Sequence, residues 1–233
     1  KEIAEIRANY AEESYKEHQQ KFKHSLIDTV PLIFYTSPLH FKQTNTTPGF
    51  IPDGVGGFFE FIKGRVVIPF EGSLAQFRHV IKHELVHVFM MSKINNVLKT
   101  HRKTLGGAPP LWFTEGLAEY WSTKWDTQAD MVLKDAVLTG YLPGLDNWER
   151  IYGTDLMYKM GQKAVEFIAE NFGEDKVLQL MDNFWMDENF SNLMKITIGL
   201  DYAQFDKEFL YGLEKKYYPE YKDHDNPSQV SQN

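Results

Sequence analysis

The chain has 233 residues, with 25 Lys+Arg against 32 Asp+Glu, a formal net charge of -7, and 42% hydrophobic and 15% aromatic side chains. That composition can bury a sizeable core, while the acidic balance gives no general field to attract phosphate backbones or anionic lipid, so nucleic acid and membrane surfaces are poor partners. The chain holds no cysteine, which removes disulfide scaffolds, thiolate metal sites and cysteine nucleophiles and leaves His and carboxylate as the strong metal ligands.

No apolar run approaches the roughly 18 to 20 residues that cross a bilayer. The stretch Lys1-Glu2-Ile3-Ala4-Glu5 is charged and has no signal-peptide core, so a soluble chain without membrane insertion is expected. A first residue of Lys rather than Met suggests an excised or processed piece, with further domains of the same parent chain outside it. From Glu2 to about Leu26, Ile3, Ile6, Tyr10, Tyr15 and Phe22 follow a helical period. Leu32 to Thr36 reads as a short buried strand, and Pro48 to Gly57 as an irregular Gly-Pro loop. Gly57 to Phe61 and Arg65 to Pro69 flank Lys63-Gly64, the pattern of a hairpin whose Gly supplies the turn.

From Ser73, a plausible N-cap, Leu74, Phe77, Val80, Ile81, Leu85, Val88, Phe89 and Ile94 recur at mostly three- and four-residue spacing, which predicts a long, mostly buried helix. After a basic Gly-Pro-rich loop, Lys99 to Pro110, five further helices are expected: 111–125, 127–139, 154–171, 174–185 and 202–216. The expected fold class is α+β, a small N-terminal mixed sheet followed by a mainly helical part. Its organisation is 1–98 for the first helix, the sheet and the long helix, 99–222 for the helical part, and 223–233 for a polar tail or linker.

The long helix contains His83-Glu84-Leu85-Val86-His87. Residues four apart share a helix face, so both imidazoles can close on one metal, while Glu84, one step round, can take a proton from a water there. With 8 His and 18 Glu in 233 residues, about 0.02 such matches are expected by chance, which sets coincidental half-buried histidines against a geometric motif. A catalytic site of this type needs a third protein ligand. The metzincin continuation would put Gly at position 90 and His at 93; Met90 and Lys93 stand there and exclude it. Further on, Leu111-Trp112-Phe113-Thr114-Glu115-Gly116-Leu117-Ala118-Glu119-Tyr120 reads as a second helix with two carboxylates four apart on one face.

His-Glu-x-x-His followed by Trp-x-x-Glu-Gly-x-Ala-Glu-Tyr resembles the gluzincins, the thermolysin-like zinc peptidases, and especially the small bacterial peptidase MA-like domains, over roughly Val66 to Gly173. The resemblance implies a zincin-like fold, with an edge strand packed on the active-site helix, and a Zn2+ cofactor. It implies Glu115 as third ligand, completing His83 and His87, and Glu119 supporting a ligand His from behind, on the Nδ1 side of His83. The physics of a metal-bound imidazole agrees, since its other N–H needs an acceptor. The resemblance also brings Tyr158, at the start of the helix that ends in Phe172-Gly173, to the site as an oxyanion donor; core packing is its rival role. An edge strand that aligns an extended substrate maps onto Gly56-Gly57-Phe58-Phe59 or onto Val66-Val67-Ile68, with Gly57, Phe58 and Trp112 as candidates for substrate contact.

Asp155 is a second candidate third ligand, because Gly153-Thr154-Asp155-Leu156-Met157-Tyr158 partly matches the aspzincin motif. Its ordinary alternative is a Thr-Asp pair that caps a helix. His79, one turn before His83, suits structure or pocket lining, and His101 suits the cleft rim. The expected function is zinc-dependent hydrolysis of a peptide or protein substrate, with Glu84 as general base and, by resemblance, an extracytoplasmic bacterial location. The alternatives are a catalytically weak zincin-like binding or assembly module of a larger, propeller-containing protein, and a zinc hydrolase acting on a non-peptide amide.

Overall fold

The computed structural model describes residues 2–43, 56–60, 63–70 and 72–221; the expectations for the loop at 48–55 and the tail from 223 lie outside them. Helix α1 (Glu2–Phe22) ends four residues before Leu26. Lys23 takes φ 49°, and the Lys23 and His24 amides turn back onto the Gln20 and Gln19 carbonyls at 3.2 and 3.3 Å, closing the free end of the helix. Strand β1 (Leu32–Tyr35) follows, then the five-residue α2 (Pro38–Lys42), which no expectation anticipated. Its signal was present: the Ser37 hydroxyl accepts from the His40 amide, and Pro38 opens the helix, where a missing N–H costs nothing.

Strands β2 (Phe58–Glu60) and β3 (Arg65–Pro69) complete a three-stranded mixed sheet in the order β1-β3-β2. β1 runs parallel to β3, with Leu32 opposite Val66, and β2 runs antiparallel to it, with Phe58 opposite Val67. Gly64, at φ 59°, makes the tight turn before β3. Glu60 and Arg65 pair across it, and the guanidinium holds the Glu60 carboxyl below its ordinary range. Val66, Val67 and Ile68 in the central strand are fully buried.

Helix α3 (Leu74–Thr100) starts where expected, with the Ser73 hydroxyl accepting from the Gln76 amide at 3.2 Å. Its Phe77, Ile81, Leu85 and Val88 pack with Val66 and Ile68 into one apolar cluster. Another side of α3 takes α1, where Phe22 stacks on Phe89 at 5.5 Å. Burial alone would raise the Glu17 carboxyl of α1, but hydrogen bonds from Lys82 and Lys21, at 2.7 and 2.9 Å, outweigh it and hold the group at about 2.

Helix α4 (Leu111–Ser122) is followed by α5 (Thr127–Leu138), a 3₁₀ segment (Leu145–Ile151), α6 (Asp155–Phe172), α7 (Glu174–Asp182), α8 (Phe190–Ile198) and α9 (Tyr202–Tyr221). The structure is thus mostly helical with a small mixed sheet, compatible with the expected α+β class. No described helix is long and apolar enough to cross a membrane.

Two compact units divide the chain: 1–107 with 117–123, and 108–116 with 124–233. The first holds α1, the sheet, α3 and the second half of α4. The second is built on aromatic packing: Trp112 stacks with Phe205 and meets Phe190 edge-on at 5.7 Å, while its Nε1 donates to the Tyr202 hydroxyl at 3.2 Å. Within this unit α4 crosses α6 at two glycines. A Cβ on Gly116 would lie 2.4 Å from the Gly161 carbonyl oxygen, so neither helix can carry a side chain there. The half-buried Asp206 carboxylate accepts from the Leu145 amide at 2.9 Å at the head of the 3₁₀ segment, and desolvation pushes it up to about 6.

Candidate metal centre

The middle of α3 is buried nearly all round, and its two buried polar side chains there, His83 and Glu84, are 9% and 6% exposed. Placing an imidazole and a carboxylate among Leu85, Val86 and Phe89 costs solvation and needs specific partners. His83 has one on α4: its Nδ1 lies 3.0 Å from Glu119 Oε1. A carboxylate only accepts, so Nδ1 carries the proton and Nε2 presents its lone pair. That lone pair faces His87 Nε2 at 3.3 Å. Two nitrogens held about 2.0 to 2.1 Å from one tetrahedral cation stand about 3.3 to 3.4 Å apart, so the observed pair is the edge such a cation requires.

Glu115 precedes Glu119 by one turn of α4. One carboxylate oxygen of Glu115 and one ring nitrogen each of His83 and His87 all lie within 4.8 Å of one another. Two imidazole nitrogens and one carboxylate oxygen form the donor set of a catalytic zinc site with a further position open to solvent or substrate. The residues present therefore fit a divalent metal by donor chemistry, by nitrogen spacing and by the acceptor fixed behind one ring.

A second group, His79, His83 and Glu119, also offers ligand atoms within 4.8 Å, and among the described residues these two are the candidates. In the second, two of the three members, His83 through Nδ1 and Glu119, are already bonded to one another. His79 Nε2 lies 3.1 Å from Ser122 Oγ and 3.4 Å from Glu119 Oε1.

Helix α1 supports the ligand helix from behind. His18 is fully buried, and its Nε2–H donates to the Lys82 carbonyl, one residue before His83, at 2.9 Å. Burial pushes its pKa down to about 4, so the ring is neutral at physiological pH.

Other expected positions fall as follows. Tyr158 is half-buried in the first turn of α6. Asp155, in the same turn, is exposed and belongs to neither metal group, so the aspzincin alternative loses its ligand. Thr154 does not cap α6 with its side chain; its hydroxyl donates to the Ile151 carbonyl at 2.7 Å instead. His101 is the exposed C-cap residue of α3, its Nδ1 donating to the Val97 carbonyl at 3.0 Å. Trp112, considered for substrate contact, is instead buried core, 1% exposed.

Phe58 opens β2, an edge strand, and its ring packs on Phe41 at 5.3 Å. Gly57 precedes it with its backbone against α3: a Cβ there would meet Val80, three residues before His83, at 3.0 Å. Of the two strands considered for substrate alignment, the one with Val66, Val67 and Ile68 is central and hydrogen-bonded on both sides, so it has no free edge to offer. The side chains that sequence reasoning left without a role are Ser122, His18 and His79. For His79 the readable signal was its spacing of four from His83.

No protein-family model matches the chain, and no curated protein matches it.

Proposed function

We propose that the protein is a zinc-dependent peptidase of the gluzincin kind with a zincin-like fold. The observation that carries the reading is the pair of Nε2 atoms 3.3 Å apart, one imidazole fixed at its far nitrogen by Glu119, with Glu115 completing the donor group. His83, His87 and Glu115 would hold the ion, which when bound supplies Lewis acidity and acidifies water at neutral pH.

The remaining chemistry belongs to the chain. Glu84, next to His83 on α3, takes a proton as water attacks the amide carbonyl carbon, then returns it to the nitrogen as the C–N bond breaks and the amine leaves. Tyr158 is proposed as the O–H donor to the developing oxyanion. The outer side of β2, an edge strand among the described residues, is proposed with Gly57 and Phe58 to pair with an extended peptide through backbone hydrogen bonds.

Zinc per chain and hydrolysis of quenched peptides, measured for the wild type and Glu84→Gln, test the reading. Stoichiometric zinc in both and activity in the wild type alone are expected. A wild type that takes up no zinc, or equal activity in the two proteins, would refute it.

A further inference from the structure

The buried carboxylate behind His83 is bonded to one imidazole and lies beside a second. Glu119 Oε1 lies 3.0 Å from His83 Nδ1 and 3.4 Å from His79 Nε2, and His79 Nε2 also lies 3.1 Å from Ser122 Oγ. His79 and His83 stand one turn apart on α3, and Glu119 and Ser122 three residues apart on α4, so one turn of each helix contributes to a common polar patch. Glu119 is 4% exposed, so its orientation is set by its hydrogen-bond partners rather than by solvent.

If His79 Nε2 were a bare lone pair, it would face a carboxylate oxygen at 3.4 Å, two acceptors turned on one another. With the proton on Nε2, the atom donates to Ser122 Oγ at 3.1 Å and turns its electropositive N–H edge, rather than a lone pair, towards Glu119 Oε1 at 3.4 Å. The carboxylate then has the His79 N–H edge on one side and stands where it takes the proton of His83 Nδ1. That in turn leaves the lone pair of His83 on Nε2, the atom facing His87.

We infer that His79 is a positioning residue: its Nε2–H, bonded to Ser122 and turned on Glu119 Oε1 at 3.4 Å, steadies that carboxylate electrostatically, and through Glu119 it sets the tautomer of His83 that presents Nε2 to a metal. The inference rests on the metal reading proposed above for its consequence, but its first step, the tautomer, belongs to the metal-free protein. Ligand orienters of this type typically change metal affinity by about 10- to 100-fold. One bond further out, about tenfold is expected for loss of the His79 donor.

The test uses the whole chain with selectively 15N-labelled histidine, as wild type, His79→Leu and His79→Gln. In the metal-free protein, the ring nitrogen shifts of His83 report which nitrogen carries the proton. Competition with a chelator then gives the zinc affinity, and the Co(II) ligand-field spectrum reports the donor geometry. His83 should carry its proton on Nδ1 in the wild type and in His79→Gln, whose amide N–H can replace the donor. In His79→Leu it should populate both tautomers, with zinc bound about tenfold more weakly and the Co(II) bands shifted. His79→Leu with an unchanged His83 tautomer and unchanged affinity would overturn the inference, as would a His79→Gln protein that behaves like His79→Leu. Should Leu at this position fail to fold, His79→Gln against the wild type still decides, because loss of the Nδ1–H tautomer in it is contradictory. A wild type that binds no zinc while its tautomer responds to His79→Leu would refute the metal reading and leave the relay standing.

Discussion

The two units bury very different material. Among the described residues, the buried polar side chains of the first include Arg7, His18, His83, Glu84, Lys93 and Glu119, whereas those of the second are Thr114, Gln162 and Thr197, none of them charged. Both units bury rings, Phe22, Phe41 and Phe89 in the first, and in the second Trp112, Phe113, Phe205 and Phe209, which pack with Phe190 and Phe167, so the contrast lies in the polar groups. Groups that can ionise and bind metal are expensive to bury, so the unit that holds them is the one where solvent conditions should move stability and activity. The aromatic unit should respond to shape instead.

The sharpest way to break this contrast is on the polar side. Glu84→Gln keeps the volume and the helix, so it should leave zinc content and the circular dichroism spectrum unchanged. It should cut peptide hydrolysis by at least about a hundredfold, as loss of a general base does; steady-state kinetics beside metal analysis check this. On the aromatic side the matching change is steric. Gly116→Ala puts a methyl 2.4 Å from the Gly161 carbonyl, and denaturant unfolding should show a loss of about 3 kcal/mol.

Acid separates the units by sign. His18 has its pKa lowered to about 4 in the folded chain from a reference of 6.5. The unfolded state therefore binds the proton first, and the stability tied to this ring is complete above 6.5 and lost as pH falls towards 4. The linkage amounts to roughly 3 kcal/mol. Asp206 is raised from 3.8 to about 6, so its contribution runs the other way: present at low pH and lost as pH rises through about 6. For a group that keeps part of its hydration the effect is smaller, about 1 to 2 kcal/mol. Denaturation midpoints between pH 4 and 8 should steepen for Asp206→Asn and flatten for His18→Phe. The smallest expected effect is a local one. Asn189 accepts from the Ser191 and Asn192 amides at the head of α8, and Asn189→Ala should cost about 1 kcal/mol in the same assay.

How much of this was readable in the sequence depended on whether physics or punctuation marked each element. The buried strand Val66 to Ile68 and the helix from Ser73 announce themselves by apolar run, period and cap, and the structure places them there. Helix α8 is bracketed by Asn189 and Gly199, the latter at φ 84°, around an apolar period of three and four, but its nine residues are too few for the periodicity to stand out in the sequence. The early end of α1 had no comparable marker: Lys23 adopts the left-handed turn that Gly or Asn would have advertised.

At the site, the spacing of His83 and His87 and of Glu115 and Glu119 was legible because helix geometry alone puts each pair on one face. Which imidazole meets which carboxylate is a matter of how α3 and α4 pack, and the place of His79 beside Glu119 needed coordinates. The exposure of Asp155 likewise follows from where α6 begins, which the residues Thr154-Asp155 do not reveal.

The central claim is most directly tested by diffraction from zinc-soaked crystals, recorded on both sides of the zinc absorption edge. One anomalous peak is expected, about 2.0 to 2.1 Å from His83 Nε2, His87 Nε2 and a Glu115 oxygen. A peak seated instead on His83 Nδ1 with His79, or no peak near either ring, would contradict the account.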